Sequence, residues 1–255
     1  MDSRNEQRAS CYDGQAVAMK TDALSPSHSR DVARRTRRGR KAFVMCSPKN
    51  GRVEIRLESR LEQSVAQALE LDPRVRSYRA QPFTLELSSG RLLPERPRHR
   101  QDGQMFYTPD FVVDVNGLEV VVEVKPEAFV EGHREWFAHL KTQFLALGRR
   151  FVVISEADLP APYQRNLKLL LPFVTQAHSH LAGWAEPLSV LAPEQLRGPL
   201  NQVLAGLTPA NYYLGAGLLL GVLRFDLCKH WLEHMDFMVE PAFGSLGVFE
   251  VLRYE

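Results

Sequence analysis

A pair of apolar strands that carry charged side chains is the feature that most constrains how this chain can fold. Residues 107–126 read YTPDFVVDVNGLEVVVEVKP, and the Asn116-Gly117 pair between two apolar runs predicts a tight β-hairpin. Valine-rich runs of this kind indicate strands that are covered on both faces. Asp110 and Glu123 lie within the runs, where a carboxylate is costly unless it is paired or coordinates a cation. The sequence therefore predicts a central hairpin with a functional charge cluster.

Asp110, Glu123 and Lys125 are expected to converge at one end of this hairpin. Glu123 and Lys125 are two residues apart, so they project from one face of their strand, and the turn brings that face beside Asp110. Carboxylate and carbonyl oxygens suit Mg²⁺, with Mn²⁺ as an alternative, and the carbonyl of Val124 can add a neutral ligand. Such an ion activates water for phosphodiester hydrolysis, while Lys125 orients the water or stabilises the pentacovalent phosphate. Charges at the edge of a sheet give the same pattern, so that interpretation stays open.

The segments around the hairpin predict an α/β sandwich over residues 42–158. Apolar residues recur at helical spacing from Leu61 to Leu71 behind Ser59, which is a favourable N-cap, and Asp72-Pro73 ends this helix. The elements expected after it are two short strands in residues 75–87 broken at Gln81-Pro82, a cationic loop over 88–104, the hairpin, a helix over 133–147 and a strand over 150–155.

Residues 159–255 are expected to form a second, mainly helical domain with winged-helix character. Helices are predicted over residues 163–174, 193–207, 211–223 and 226–235, followed by a strand in VFEVLRY, residues 248–254. His230 and His234 are four residues apart and would share a helix face near Cys228, which is a spacing that zinc accepts. Ordinary packing around Trp231 is the favoured interpretation.

Residues 1–41 predict a flexible leader that ends in a basic run. The stretch RDVARRTRRGRK, residues 30–41, holds one acid, Asp31, among its cations. The candidate contacts to DNA phosphates are Arg34, Arg35, Arg37, Arg38, Arg40 and Lys41. A solvated tail is the alternative. Three isolated cysteines indicate reduced thiols, and no apolar run reaches membrane-spanning length, so a soluble cytoplasmic protein is expected.

Several of these motifs together resemble one nuclease family. The segments are GRVEIRLESRLEQSVAQALELDPRVRSYRAQPF, YTPDFVVDV, VVVEVKP, FVVISEADL and NLKLLLPF, within residues 30–175. In order and distance they resemble the TnsA transposon endonucleases, which have the restriction-endonuclease-like PD-(D/E)xK fold. The resemblance implies a mixed sheet flanked by helices and a helical, winged-helix-like C-terminal domain. It also implies that Glu62 joins the metal site, with Glu58 and Glu70 as competitors. Gln81-Pro82 matches a family motif that is interpreted as a structural bend near the site, and no chemistry is assigned to it.

The resemblance further implies cleavage at the 5′ side of transposon ends during cut-and-paste transposition. The expected partners are DNA, a TnsB-like DDE transposase and a TnsC-like AAA+ ATPase regulator, in a bacterial cytoplasm and on the nucleoid when DNA is bound. One alternative is a stand-alone restriction or repair nuclease with the same residues. Another is a non-catalytic DNA-bridging subunit that keeps the fold.

Overall fold

The computed structural model describes residues 43–97, 99 and 102–255. The predicted basic leader, residues 1–41, and with it all of the arginines and the lysine proposed to contact DNA, lies outside the described residues. The helices of the described part are α1 (Arg60–Leu71), α2 (Glu127–Gly132), α3 (Arg134–Ala146), α4 (Ala161–Thr175), α5 (Leu181–Ser189), α6 (Leu200–Val203) and α7 (Ala210–Leu219). None of these helices has the length and apolar content that crossing a membrane requires.

The strands of the described residues form four small sheets. They are β1 (Phe43–Ser47), β2 (Val53–Leu57), β3 (Val75–Ala80), β4 (Thr84–Glu86), β5 (Arg91–Leu93), β6 (Phe106–Tyr107), β7 (Phe111–Val115), β8 (Leu118–Val124), β9 (Arg150–Ile154), β10 (Gly198–Pro199), β11 (Leu223–Arg224) and β12 (Met238–Pro241). Short 3₁₀ helices cover Pro48–Asn50, Glu156–Asp158, His178–His180 and Gly247–Phe249. The strands β1, β2 and β5 were not predicted from the sequence.

The central sheet has the order β3-β7-β8-β9. The first two pairings are antiparallel, and β8 runs parallel to β9, so the sheet is mixed. Buried residues of α1 and α4 pack on one face, and buried residues of α3 pack on the other. This arrangement confirms the predicted restriction-endonuclease-like fold class, a mixed sheet flanked by helices.

The predicted hairpin is present between β7 and β8. Val115 pairs with Leu118 across the turn, and Asn116 and Gly117 have φ values of 52° and 88°. Two successive positive φ values define the turn that suits the twist of a tight hairpin, which is why an Asn-Gly pair occurs there. The register that follows from this turn aligns Phe111 with Val122, and it decides which side chains meet at the far end of the strands.

The C-terminal part differs from the sequence-based prediction. The predicted helix over 193–207 is wrong, because Gly198 and Pro199 form β10 and the helix there is limited to α6. The predicted helix over 226–235 is also wrong. The side chain of Asn166 donates to the carbonyl oxygens of Leu227 and His230 and accepts from the backbone N–H of Leu232, so these groups bind α4 instead of one another.

The predicted final strand, residues 248–254, is wrong as well. Its carbonyl oxygens bind side chains instead of a neighbouring strand: Phe249 accepts from the hydroxyl of Tyr163, and Leu252 accepts from Arg74. Helix α5 and strand β12 were not expected, while α4 and α7 agree with predicted helices within a few residues. The winged-helix character of this part stays a prediction.

The buried core continues across residue 158. One cluster contains Val122 of the central sheet as well as Leu218 and Tyr254 from the C-terminal part. The hydroxyl of Tyr254 donates to Asp72 over 3.0 Å, which anchors the last residues beside the end of α1. The predicted division into two domains at this point stays a prediction.

Candidate active site

Asp110, Glu123 and Lys125 meet where β7 begins and β8 ends. Asp110 precedes β7 by one residue, and the register of the hairpin places it opposite Glu123. Lys125 follows β8, and its backbone N–H donates to the carbonyl of Ile154 over 3.1 Å, which fixes this end of β8 against β9. The convergence predicted from spacing is therefore present in the structure.

Three oxygens surround the ammonium group of Lys125. The distances from its Nζ are 2.9 Å to Oδ2 of Asp110, 2.6 Å to Oε1 of Glu123 and 3.0 Å to the carbonyl oxygen of Val124. Oδ2 of Asp110 also accepts from the backbone N–H of Val124 over 2.8 Å. The oxygens predicted to hold a metal ion on this hairpin thus already converge on one cation.

Glu62 lies in the first turn of α1 and forms no hydrogen bond or ion pair with Asp110, Glu123 or Lys125. Its Oε1 accepts from the hydroxyl of Ser59 over 2.9 Å, and its Oε2 accepts from the backbone N–H of Glu58 over 2.8 Å. Burial, followed by the negative charge of Asp110, raises the pKa of Glu62 to about 7. Glu62 is therefore within electrostatic reach of the site, although its carboxylate is bonded to its own end of the helix.

The two competitors of Glu62 occupy other environments. Glu70 is at the far end of α1, where it accepts hydrogen bonds from the hydroxyls of Ser47 and Tyr78 at 2.6 and 2.8 Å, so it joins α1 to β1 and β3. Glu58 precedes the N-cap residue Ser59 and therefore lies outside α1.

Tyr107 is a residue of this site that the sequence analysis missed. Its hydroxyl donates to Oε2 of Glu123 over 2.5 Å, and its ring is buried against Phe144 and Phe151 at centroid distances of 5.9 and 6.2 Å. A tyrosine in an apolar strand usually has a hydrogen-bond partner for its hydroxyl, and that was the available signal. Tyr107 leaves only one oxygen of Glu123 to face Asp110 and Lys125.

The segment that carries these residues also matches a known protein family. Residues 72–156 match the family model described as TnsA-like endonuclease N terminal. This segment is similar to the N-terminal domain of TnsA-like endonucleases. The match confirms the resemblance predicted from the sequence. A search of curated proteins returns no significant match.

The TnsA-like domain contains Asp110, Glu123, Val124 and Lys125, whereas Glu62 lies ten residues before the matched segment begins at residue 72. The α1 helix nevertheless packs on the central sheet of the domain. The position of Glu62 near the site therefore depends on how α1, which lies outside the matched segment, packs on this sheet.

Burial raises the pKa values of the carboxyl groups at this point of the TnsA-like domain, and repulsion between the carboxylates adds to the rise. Burial and the charge of Asp110 raise the pKa of Glu123 to about 7, although Lys125 and Tyr107 oppose the rise. Burial lowers the pKa of Lys125, but Asp110 and Glu123 outweigh it and raise this pKa above its ordinary value. Lys125 thus stays charged, and it cannot neutralise every carboxylate near it.

Two carboxylates and one carbonyl suit a hard divalent cation in chemical type. Within residues 43–97, 99 and 102–255, no three His, Cys, Asp or Glu side chains are arranged as a metal site. In the structure Lys125 binds Asp110 and Glu123, and Ser59 at the start of α1 binds Glu62. The donor set fits Mg²⁺, and binding would require Lys125 to leave the shared oxygens.

The alternative zinc site lacks the helix on which it depended. Cys228, His230 and His234 lie in the loop that Asn166 binds, and the ring of His230 is 5.6 Å from that of Phe237. His234 lies beside Trp231, with ring centroids 6.3 Å apart. These contacts are aromatic packing.

Proposed function

We propose that the chain is a DNA endonuclease that cuts the 5′ side of transposon ends during cut-and-paste transposition. The observation that carries this proposal is the convergence of Asp110, Glu123 and the Val124 carbonyl on one cation, inside a TnsA-like endonuclease domain. Their burial argues against solvated edge charges, because the Asp110 and Glu123 side chains are only 12% and 7% exposed.

Asp110, Glu123 and the Val124 carbonyl would hold Mg²⁺ or Mn²⁺, with Glu62 as a further carboxylate. A bound ion of this kind neutralises charge on the phosphoryl group and activates a water. Tyr107 keeps Glu123 in one orientation through its hydroxyl. Lys125, released from its carboxylates, donates to the attacking water or to a phosphate oxygen; its side chain is 29% exposed and can turn towards DNA.

The nuclease would act as one subunit of a heteromeric transposase, with a TnsB-like DDE transposase and a TnsC-like AAA+ ATPase. This part of the proposal is supported by the resemblance to the TnsA family alone. Arg34, Arg35, Arg37, Arg38, Arg40 and Lys41 are proposed to bind DNA phosphates, and such contacts weaken as salt concentration rises. The proposed location is the bacterial cytoplasm and the nucleoid.

The test is a transposition assay with the transposase and the ATPase present, using Asp110→Ala and Lys125→Ala. Both variants should replace simple insertions by cointegrates, because the non-transferred strand stays uncut while joining continues. Asp102→Ala is a control on an exposed acid of the loop before β6. Simple insertions at the wild-type level in both site variants would contradict the assignment.

Two outcomes would favour the alternative functions. Efficient cutting of naked DNA by the purified chain alone would favour a stand-alone restriction or repair nuclease. A titration in which neither Mg²⁺ nor Mn²⁺ binds would favour a non-catalytic DNA-bridging subunit.

A further inference from the structure

Gln81 lies next to Asp110 of the candidate active site and two strands away from Glu123. The register of β3 with β7 and of β7 with β8 places Gln81, Asp110 and Glu123 next to one another on successive strands. The backbone N–H of Gln81 donates to the carbonyl oxygen of Asp110 over 3.0 Å. A bond between main chains at this point fixes the position of Gln81 relative to the site.

The backbone of Gln81 is in a conformation that suits other residue types better. Its φ is 47°, in the left-handed region, where a Cβ atom is crowded and glycine or asparagine is favoured. The following Pro82 further disfavours helical conformations for the residue before it. Strain of this kind concentrates at functional sites. A long side chain at such a position therefore indicates that the side chain itself has a function.

The carboxamide of Gln81 has an unsatisfied oxygen. The residue is 3% exposed, and within the described part of the chain its Oε1 is buried without a hydrogen-bond partner. Buried polar atoms nearly always have a partner, so an exception needs a ligand, a water or an ion to account for it. An oxygen that only accepts is satisfied by the O–H of a water or by a cation.

We propose that the carboxamide oxygen of Gln81 binds the hydrated divalent cation held by Asp110 and Glu123, which makes Gln81 a cation-binding residue. This inference rests on the proposed function, since it requires a cation at that site. An amide oxygen is a hard ligand without charge, so it adds no repulsion to a site where carboxylates already repel one another. A bend that only ended β3 would form at least as readily with glycine or asparagine.

The test is calorimetric titration of the full chain with Mn²⁺ alone, combined with thermal unfolding, for the wild type, Gln81→Gly and Gln81→Asn. Glycine removes the carboxamide and suits the backbone. Asparagine also tolerates the left-handed region but is one methylene shorter. Gln67→Leu is the matched control, because Oε1 of Gln67 is likewise buried without a partner among the described residues. Gln67 is five residues after Glu62 on α1, so it leaves the helix about 140° away.

Both Gln81 variants should unfold at or near the wild-type temperature and bind Mn²⁺ about tenfold more weakly, whereas Gln67→Leu should bind as the wild type does. Wild-type affinity in Gln81→Gly or Gln81→Asn would overturn the proposal. So would a large loss of thermal stability in both variants, since the buried side chain of Gln81 would then serve packing. Asp110→Ala separates the two claims: if it loses binding while Gln81→Gly keeps it, only the role of Gln81 fails. A wild type that binds no Mn²⁺ contradicts the metal site as well.

Discussion

At the scale of single residues, Lys125 occupies the place that a divalent cation would need. Its ammonium group is bound by oxygens of Asp110, Glu123 and Val124 at 2.6 to 3.0 Å. A metal ion and this ammonium group cannot share these oxygens without repulsion. Lys125 is therefore both a participant in the proposed chemistry and a competitor of the ion.

Lys125→Met should separate these two roles. Removing the competing cation should tighten Mn²⁺ binding about fivefold, since one ion contact of this kind is worth on the order of 1 kcal/mol. DNA cleavage should nevertheless be lost. Calorimetry and cleavage of labelled DNA measure the two effects, with Lys141→Met on α3 as the control. Weaker Mn²⁺ binding in Lys125→Met would show that the lysine does not compete.

Tyr107→Phe should lower both stability and cleavage. The buried Oε2 of Glu123 would lose its donor, which costs about 1–3 kcal/mol of unfolding free energy, and Glu123 would be free to rotate. Urea unfolding and cleavage rates are the measurements. Tyr212→Phe is the control, because that tyrosine is 40% exposed. Cleavage at the wild-type rate in Tyr107→Phe would show that Tyr107 does not position Glu123.

The sequence predicted the residues whose positions follow from strand spacing. Asp110, Glu123 and Lys125 belong to this group, because an Asn-Gly turn fixes the register between them. Tyr107 and Gln81 were assigned no chemical role, since their contacts depend on packing against α3 and on the bend after β3. Glu62 became a candidate only through the family resemblance, and its side chain bonds to its own helix end.

At the scale of elements, patterns with a local cause were predicted well. Helix α1 begins after Ser59, whose side chain accepts from the backbone N–H of Glu62, as its N-cap position predicts. The loop over 226–235 was predicted as a helix because its apolar residues have a helical spacing. Asn166 is 60 residues away from this loop in the chain. No local pattern reveals that its side chain forms hydrogen bonds with the backbone groups of the loop.

Ser59→Ala tests the link between the start of α1 and the position of Glu62. The hydroxyl of Ser59 accepts from the backbone N–H of Glu62 and donates to its carboxylate. The loss of this hydroxyl group should lower the free energy of unfolding by about 1 kcal/mol. Denaturant titration measures this cost. Ser59→Thr keeps the hydroxyl and should stay close to the wild type; equal stability of Ser59→Ala would contradict the N-cap assignment.

At the scale of the whole molecule, residues far apart in the chain stabilise the sheet that carries the site. The side chain of Arg74, just before β3, donates to the carbonyl of Leu252 over 2.8 Å and lies 5.0 Å from the ring centre of Tyr254. The C-terminal residues therefore pack against the same cluster as α1 and β7. The sequence could not predict this contact, because it depends on the path of the intervening helices.

The stability of the metal-free protein should fall as pH rises from 5 to 8. Glu62 and Glu123 have pKa values of about 7 in the folded chain, above their ordinary value of 4.5. The folded state therefore favours the protonated form of both carboxyl groups. The stability that this preference contributes is complete below about pH 4.5 and is lost as pH rises through 7. Mg²⁺ should reverse this loss by binding the ionised carboxylates. Thermal unfolding against pH, with and without Mg²⁺, measures both effects; a Tm that rises from pH 5 to 8 without Mg²⁺ would contradict the shifts.

In the proposed function, the carboxylates where β7 meets β8 support DNA cleavage together with a divalent cation. The most direct measurement is cleavage of end-labelled transposon-end DNA in Mg²⁺, with the partner proteins present, by Glu123→Gln and Glu119→Gln. Both glutamates lie on β8, but Glu119 is exposed and pairs with Arg149 away from the site. We predict that Glu123→Gln loses the 5′ cut while Glu119→Gln keeps it. A 5′ cut by Glu123→Gln at the wild-type rate would contradict the account.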